Sequence, residues 1–344
     1  MLKKISIFHG PLGTGGEGWT VSRAERKLGY QSDHIVFNKR EYSYPADKNL
    51  NFPRNAYISN FFKSLIFLFH ALKKYEVFHF YYATSLLPFY LDLPLLKLFR
   101  KKIFFTFQGC DIRNKKCFPK TYTTNACSEC QNKRCHRWGW LKILRLKIPL
   151  LFANQTFAIT PDLKLISPSS IIITQAKVNF TLWQPLPHTK SNQIINIIHA
   201  PTYRSIKGTK YIITAIHALI KEGYPIKLTT IENIPHNQMK KMCQEADIAI
   251  DQLLIGWYGG YAVEMMALEK PVICYLNPDL FRFVPWAKEI PIINATPKNI
   301  KEKIKLLLEN PALRIKLGQA GRQFALKYHN PESLAKKFIE YYQQ

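Results

Sequence analysis

Two cations lie close together in the segment His199–Gly208, namely Arg204 and Lys207. The guanidinium of Arg is a forked donor and the ammonium of Lys is a compact charge, and this combination suits a diphosphate. The segment follows a predicted strand, and open parallel sheets bind ligands beyond the carboxyl ends of their strands. We predict that both side chains hold a diphosphate leaving group and neutralise it. A solvated charge pair is the alternative.

A second glycine-bearing turn follows a later predicted strand and opens a predicted helix. Gly259 and Gly260 stand at the start of that helix, and Glu264 lies one turn further on. Free backbone amides at a helix start favour anions. We therefore expect the two glycines to face the same diphosphate and Glu264 to accept hydrogen bonds from a ribose.

The amino-terminal glycine loop Gly10–Gly18 lies between the first predicted strand and the first predicted helix. Glycines allow close approach of the backbone, and the amides of Gly15 and Gly16 suit a phosphate or sugar oxygen. The glycine spacing fits a dinucleotide fingerprint only loosely. A tight turn without a ligand is the alternative.

The segment Glu264–Ile273 (EMMALEKPVI) resembles the donor-site signature of retaining glycosyltransferases of the GT-B fold, family-4 type, also called glycosyl transferases group 1. The segment His199–Gly208 is similar to the Arg/Lys segment of that family. In the first half, Phe107–Arg113 resembles the H-G-x-D-x-R segment that lines the acceptor side. The resemblance implies that Gln108 and Asp111 lie at the catalytic site, together with Arg204 and Lys207.

Two positions depart from the family pattern. The first Glu of the E-x7-E pair corresponds to Gly256, and Gln108 stands where the family often has His. Glycine supplies no carboxylate for the donor sugar. Asp251 and Gln252 lie just upstream and are the candidates to replace it.

The resemblance implies an α/β protein with two Rossmann-like, doubly wound domains that face each other across a cleft. The activity expected from it is transfer of a sugar from a nucleotide-diphosphate sugar to a glycan or lipid-linked acceptor, with retention of configuration, in cell-surface polysaccharide or glycolipid biosynthesis. Arg204, Lys207 and loop amides would stabilise the leaving group, so no cofactor is required for the chemistry.

The domain organisation follows from alternating short apolar runs and helical stretches, which are typical of parallel sheets covered by helices. This pattern occurs twice among the 344 residues. We predict an acceptor domain over residues 1–181, a proline-bearing linker over 182–192 and a donor domain over 193–330. A last helix over residues 331–344 is expected to cross back to the first domain.

A cysteine cluster interrupts the first domain within a basic insertion near residues 110–137. Four thiolates from this cluster suit a tetrahedral structural zinc site, and they are those of Cys117, Cys127, Cys130 and Cys135. His136 is the candidate to replace one of these thiolates. Thiols in a long loop are the main alternative, and an iron–sulfur cluster is a lesser one. A zinc ion here would fix the insertion and take no part in transfer.

Charge is the strongest compositional signal. The chain has 49 Lys and Arg against 23 Asp and Glu, a net charge of +26. Residues 1–190 carry 29 of the basic and 10 of the acidic side chains, so the first half supplies most of the excess. The segment Trp138–Ile148 is basic and amphipathic, which suits a helix that lies on an anionic membrane. For a single helix, packing against its own domain is the more common arrangement. The charge excess of the whole domain favours a membrane or an anionic acceptor as its partner.

No segment has the length and apolar character of a secretory signal or a membrane-spanning helix, and we predict a cytoplasmic protein, peripheral on the inner face of the cell membrane.

Two other classes of protein remain as alternatives. A basic, zinc-containing nucleic-acid-binding protein would explain the charge and would leave Arg204–Gly208 without a role, so we expect no nucleic-acid partner. A non-catalytic GT-B scaffold would explain Gly256 and Gln108. A nucleotide-sugar epimerase or a phosphorylase is a lesser option among enzymes.

Overall fold

The chain forms two compact units in a computed structural model. The first unit comprises Met1–Asn114, Arg134–Lys177 and Pro331–Gln344, and the second comprises Lys115–Lys133 and Val178–Asn330. The residues that the structure describes are 5–38, 45–53, 55–114, 122, 124–132, 135, 140–186, 194–232, 234 and 236–344.

The first unit contains a seven-stranded sheet in the order β3-β2-β1-β4-β5-β6-β7, and every strand pair is parallel. The central strands are buried on both faces and therefore read as continuous apolar runs. The strands are β1 (Ser6–Gly10), β2 (Gln31–Val36), β3 (Lys48–Asn49), β4 (Val77–Tyr81), β5 (Lys102–Phe107), β6 (Gln155–Ala158) and β7 (Ile171–Ile172).

Helices cover both faces of this sheet. On one face, α1 (Glu17–Lys27) packs with the last helix of the chain, α12 (Pro331–Gln343), over Ile7, Val77 and Phe104. On the other face, three helices pack over Phe8, Phe80 and Phe105. They are α2 (Tyr57–Lys74), α3 (Asp92–Leu98) and α5 (Leu141–Phe152).

The second unit contains a five-stranded parallel sheet in the order β12-β11-β10-β8-β9. Its strands are β8 (Ile195–His199), β9 (Ile226–Thr230), β10 (Ile248–Ile250), β11 (Val272–Cys274) and β12 (Ile293–Asn294). Its helices are α4 (Ala126–Glu129), α6 (Arg204–Lys207), α7 (Thr209–Lys221), α8 (His236–Gln244), α9 (Gly260–Ala267), α10 (Ile300–Glu309) and α11 (Pro311–Tyr328).

The helix α11 is the largest element that periodicity did not predict. It contains Gly318 and Gly321, and its packing against α9 requires both. A Cβ at Gly318 would lie 2.0 Å from the carbonyl oxygen of Glu269, and a Cβ at Gly321 would lie 3.1 Å from Met266 Cγ. Glycine lowers helix propensity, so the two residues obscure the helix in the sequence although its packing depends on them. The prediction of an α/β protein built on parallel sheets is confirmed.

Candidate functional site

The candidate donor site lies where two neighbouring strands of the second unit end. In the parallel pair of β8 and β10, His199 is the register partner of Ile250. The chain after β8 leads to α6, which carries Arg204 and Lys207, and the chain after β10 begins with Asp251. Because parallel strands end at one edge of a sheet, two distant sequence segments meet there.

Lys207 is held by the residues that follow β10. Its Nζ donates to Asp251 Oδ1 at 2.9 Å and to Gln252 Oε1 at 2.5 Å. The Lys207 side chain is 14% exposed and that of Asp251 is fully buried. Asp251 Oδ2 accepts a hydrogen bond from the Gly259 backbone N–H at 2.6 Å. A single buried carboxylate therefore links Lys207 to the glycine that caps α9.

Arg204 lies at the surface, one helical turn before Lys207. Its Nε lies 3.0 and 3.1 Å from the two carboxylate oxygens of Glu232, and its Nη2 donates to Oε2 at 2.5 Å. These hydrogen bonds hold the pKa of Glu232 below its ordinary value. The guanidinium fork is thus presented to a planar anion, which in this structure is the carboxylate of Glu232.

His199 lies beneath α6 and is buried. Its Nδ1 lies 2.8 Å from the carbonyl oxygen of Ile250, so this nitrogen carries the proton, and its Nε2 lies 2.9 Å from Thr209 Oγ1 and accepts. Burial lowers the pKa of His199 to about 4. The neutral imidazole ties the end of β8 to β10 and to the start of α7.

The start of α9 brings the two glycines to the same edge of the sheet. Gly259 is the residue that precedes the helix and Gly260 is its first residue. Glu264 lies inside the helix and is 4% exposed. Burial raises the pKa of the Cys243 thiol, and the negative charge of Glu264 adds to this rise. The Glu264 carboxylate therefore lies near α8, the helix that contains Cys243.

Gly256 has a left-handed backbone, with φ of +84°, and a Cβ there would lie 3.1 Å from Asn277 Cβ. Residues other than glycine are strained in this region. The loop after β10 is therefore shaped for glycine at the position where the resembled family has its first Glu. The carboxylate closest to this loop in sequence is that of Asp251, which is buried beneath it.

The glycine loop of the first unit has two consecutive left-handed residues, Gly15 at φ +62° and Gly16 at φ +73°. A Cβ at Gly15 would lie 2.7 Å from Nζ of Lys177. The left-handed backbone favours glycine at both positions, and the loop leads directly into α1.

Gln108 and Asp111 lie together at the end of β5. Asp111 is fully buried, and its carboxylate accepts hydrogen bonds from the backbone N–H groups of Gln108 at 2.9 Å and Gly109 at 2.7 Å. The Gln108 side chain is directed to the glycine loop, where Nε2 donates to Glu17 Oε2 at 3.2 Å. Asp111 thus shapes the turn from which Gln108 projects.

The comparisons with known proteins agree with this geometry. Residues 204–340 match the family model described as glycosyl transferase-like. The chain is similar in fold to sucrose-phosphate synthase from Thermosynechococcus elongatus, with 16% sequence identity, 98% of each chain covered and a TM-score of 0.67. Residues 204–340 therefore resemble glycosyl transferases, and the whole chain has the GT-B fold.

Two further glycosyltransferase-fold structures resemble it as closely. The HepE protein of Anabaena, in complex with UDP and glucose, shares 11% identity over 98% of each chain, with a TM-score of 0.65. The catalytic domain of starch synthase IV from Arabidopsis thaliana, bound to ADP and acarbose, shares 10% identity over 99% of each chain, with a TM-score of 0.65. A comparison with curated protein sequences gives no match. The predicted GT-B fold is confirmed, and the match over residues 204–340 supports the predicted glycosyltransferase. Retention and the family-4 type stay predictions.

Sequence reasoning missed two charged residues that lie at the glycine loop, Glu17 and Lys177. The Glu17 carboxyl is fully buried, and burial raises its pKa while the charge of Lys177 and the Gln108 hydrogen bond oppose the rise. Glu17 lies within the glycine loop Gly10–Gly18, so an acidic residue in that loop was a signal that could have identified it. Lys177 is 160 residues away in sequence, and only folding brings it there.

A buried polar chain beneath the same loop was also missed. His9 hydrogen-bonds to Glu25 Oε2 and to the Tyr81 hydroxyl, each at 2.8 Å. His79 stacks on Tyr81 and hydrogen-bonds to the hydroxyl of Tyr342 at 2.5 Å. Burial lowers the pKa of His79 and raises that of Tyr342. These contacts hold α12 against the middle of the first sheet.

The structure places three of the four predicted zinc ligands, Cys127, Cys130 and Cys135, whereas Cys117 lies outside the described residues. Cys135 Sγ accepts a hydrogen bond from Lys142 Nζ at 3.0 Å. Within the described ranges, no group of three or more His, Cys, Asp or Glu side chains is arranged to hold a metal ion. The zinc site stays a prediction.

Proposed function

We propose that the protein transfers a sugar from a nucleotide-diphosphate sugar to a glycan or lipid-linked acceptor, with retention of configuration. The second unit binds the donor and the first unit binds the acceptor. The product belongs to cell-surface polysaccharide or glycolipid biosynthesis, and the protein works at an anionic membrane surface. The support for the donor is the arrangement of Lys207, Asp251 and Gly259 at the strand ends.

This proposal depends on Lys207, because its side chain is partly buried and two hydrogen bonds hold its ammonium in place. An ammonium has three N–H donors, and among the described contacts two of them are taken by Asp251 and Gln252. The third serves a diphosphate oxygen. Since the ammonium is held in place before the donor arrives, little reorganisation is needed as charge develops on the leaving group.

Arg204 contributes the second positive charge by exchanging one anion for another. Its present partner is Glu232, whose side chain is 32% exposed, while the side chain of Arg204 is 58% exposed. A phosphate group of a diphosphate offers two oxygens to the same guanidinium fork and brings more charge. Glu232 therefore keeps Arg204 extended until the donor replaces it.

The test is a thermal-shift screen of the purified protein with UDP, GDP, ADP and CMP and with their sugar conjugates. A ligand present at about 100 times its Kd adds roughly 2.7 kcal/mol to the free energy of unfolding. We expect one nucleoside diphosphate to stabilise the wild type, and Arg204→Ala and Glu264→Ala to give a clearly smaller shift at the same ligand concentration. Lys298→Ala, which removes an exposed cation elsewhere in the second unit, is the matched control and retains the shift. Absence of any nucleotide shift in the wild type contradicts the proposal.

A non-catalytic scaffold is the second candidate, and the backbone at Gly256 favours it because no carboxylate can stand there without strain. The two candidates differ in turnover. Release of the nucleoside diphosphate from the donor that gives the thermal shift, measured with mixed membrane glycans and lipids as acceptors, identifies an enzyme. Binding without release identifies the scaffold.

A further inference from the structure

Three helices cover one face of the first-unit sheet and share one core. Leu68 of α2, Leu93 of α3 and Ile148 of α5 all pack into the cluster around Phe80 and Phe105, and α3 contacts α5 directly. The three helices therefore form one layer, with their inner sides on the sheet. Their outer sides form a single surface of the unit.

This outer surface is apolar where a solvated surface would be polar. In α2, exposed apolar side chains recur at spacings of four, four and three residues, which places them along one stripe of the helix. The ends of α3 and α5 add more. Between 49 and 77% of each of these side chains is exposed. We call this surface the outer helix face, and its apolar members are Ile58, Phe62, Ile66, Phe69, Leu98, Phe99, Trp140, Ile143 and Leu151.

Positive charge surrounds these apolar side chains. The segments 57–74, 88–102 and 140–152 together contain ten Lys and Arg and one acidic residue, Asp92. Asp92 is buried and accepts hydrogen bonds from Ser85 and from backbone amides, so it presents no charge at the surface. The exposed cations are Lys63, Lys73, Lys74, Lys97, Arg100, Arg145 and Lys147.

A groove of about 410 Å³ opens beside α2 on this face. Its apolar lining includes Leu50, Phe52 and Phe67, and its basic lining includes Lys48 and Lys63. An apolar floor with cations around it matches the junction of an acyl chain and an anionic headgroup. The groove therefore suits a single lipid molecule, and the outer helix face suits the surface of a bilayer.

We propose that the outer helix face docks on an anionic bilayer, with apolar side chains inserted at the headgroup boundary and the α2 groove receiving a lipid headgroup. This rests on the membrane partner of the proposed function and is independent of the transfer chemistry. A second copy of the chain is a poorer occupant because a symmetric contact would bring these cations against one another. An anionic bilayer neutralises them and covers the apolar stripe at the same time.

The test is flotation of the full chain with vesicles of phosphatidylcholine alone and with vesicles of equal phosphatidylcholine and phosphatidylglycerol. We expect flotation with the anionic vesicles only. Lys63→Glu with Arg145→Glu lowers the partition coefficient by about tenfold or more, since each surface cation contributes about a factor of five. Phe62→Ser with Ile66→Ser lowers it by a similar factor through lost insertion.

A matched control changes the same residue types on the second unit. Ile315→Ser with Lys316→Glu alters one exposed apolar and one exposed basic side chain there and leaves flotation unchanged. A blue shift of tryptophan emission on vesicle binding, lost in Trp140→Phe, locates the contact at α5. Inorganic phosphate at matched ionic strength does not displace the protein if the ligand is a lipid surface rather than a free phosphate.

The proposal is overturned if anionic and neutral vesicles float the protein equally, or if the outer-face variants float as the wild type does. It is also overturned if these variants instead dissociate a dimer seen by size-exclusion chromatography with light scattering. The nucleotide thermal shift of the same samples separates the two proposals. A shift without flotation refutes docking alone, and flotation without any nucleotide shift refutes the donor assignment alone.

Discussion

The ammonium of Lys207 lies 2.9 Å from Oδ1 of Asp251, whose other oxygen accepts the backbone N–H of Gly259 at 2.6 Å. The two residues are 44 positions apart and follow neighbouring parallel strands. Asp251 thus fixes a cation and a loop amide with one buried carboxylate, and both are groups that we assign to the donor diphosphate.

Breaking this pair from either side should destabilise the second unit. Asp251→Ala leaves Lys207 without its buried counter-ion, and Lys207→Met leaves the buried carboxylate without its cation, so we expect each to cost about 3 kcal/mol. The double variant should cost less than the sum, because no lone charge remains. Urea unfolding of the four proteins measures this. Strict additivity would show that the contact carries no coupling.

Changes at Arg204 should separate binding from stability. Its ion pair with Glu232 is exposed, and exposed pairs contribute little to folding. We therefore expect Arg204→Ala to unfold at the wild-type temperature and to bind the nucleoside diphosphate at least about tenfold more weakly. Glu232→Gln is the informative partner variant. It removes the competing anion, so binding should be as tight as in the wild type or tighter, as isothermal titration would measure.

Gly256→Ala should cost about 1–2 kcal/mol from its left-handed backbone, with an added penalty from the contact with Asn277 Cβ. Gly223 is a matched control because its φ is +90° and a Cβ there would meet no atom within 4 Å. The difference between the two alanine variants in chemical denaturation isolates the contact. Gly256→Glu should therefore not raise activity. A gain in turnover would show that the loop accepts the family's carboxylate.

Stability should fall on mild acidification through His199. The pKa of its imidazole is lowered to about 4 by burial, whereas in the unfolded chain it is about 6.5. Between these values the unfolded state binds a proton that the native state does not, so the free energy of unfolding decreases as the pH falls from 6.5 to 4. The full loss is roughly 3 kcal/mol. His199→Gln should have a flatter dependence in this window than the wild type, measured by thermal melts. Parallel curves would contradict it.

For Glu17 we expect stability to change with pH in the opposite direction to that expected for His199. Burial raises the pKa of this carboxyl, so its contribution to stability is present below the unfolded-state pKa and is lost as the pH rises through the native value. Glu17→Gln keeps the shape and the hydrogen-bonding group without the charge. We expect the stability of this variant relative to the wild type to increase as the pH rises above the ordinary pKa of a Glu carboxyl, about 4.3. Asp111→Asn is not an equivalent control, since Asp111 accepts backbone amides that an amide nitrogen cannot replace.

The sequence by itself determined the parallel sheets and most of their strands. Apolar runs such as Val77–Tyr81 are buried on both faces of a sheet and leave a strong pattern. The residue types of Arg204, Lys207 and the glycines also predict a diphosphate as the ligand. These are local properties, because charge, apolar periodicity and glycine content are written in short stretches of chain.

Only the tertiary structure decided which residues act together. Lys207 meets Asp251, and Lys177 meets the glycine loop, through contacts between segments that are far apart in sequence. The outer helix face also follows from tertiary packing rather than from the local sequence. Each helix of that layer has an ordinary apolar content, and only packing on the sheet shows that Ile66 and Phe69 are exposed while Leu68 is buried. Burial depends on what the rest of the chain covers, and a local pattern does not contain that information.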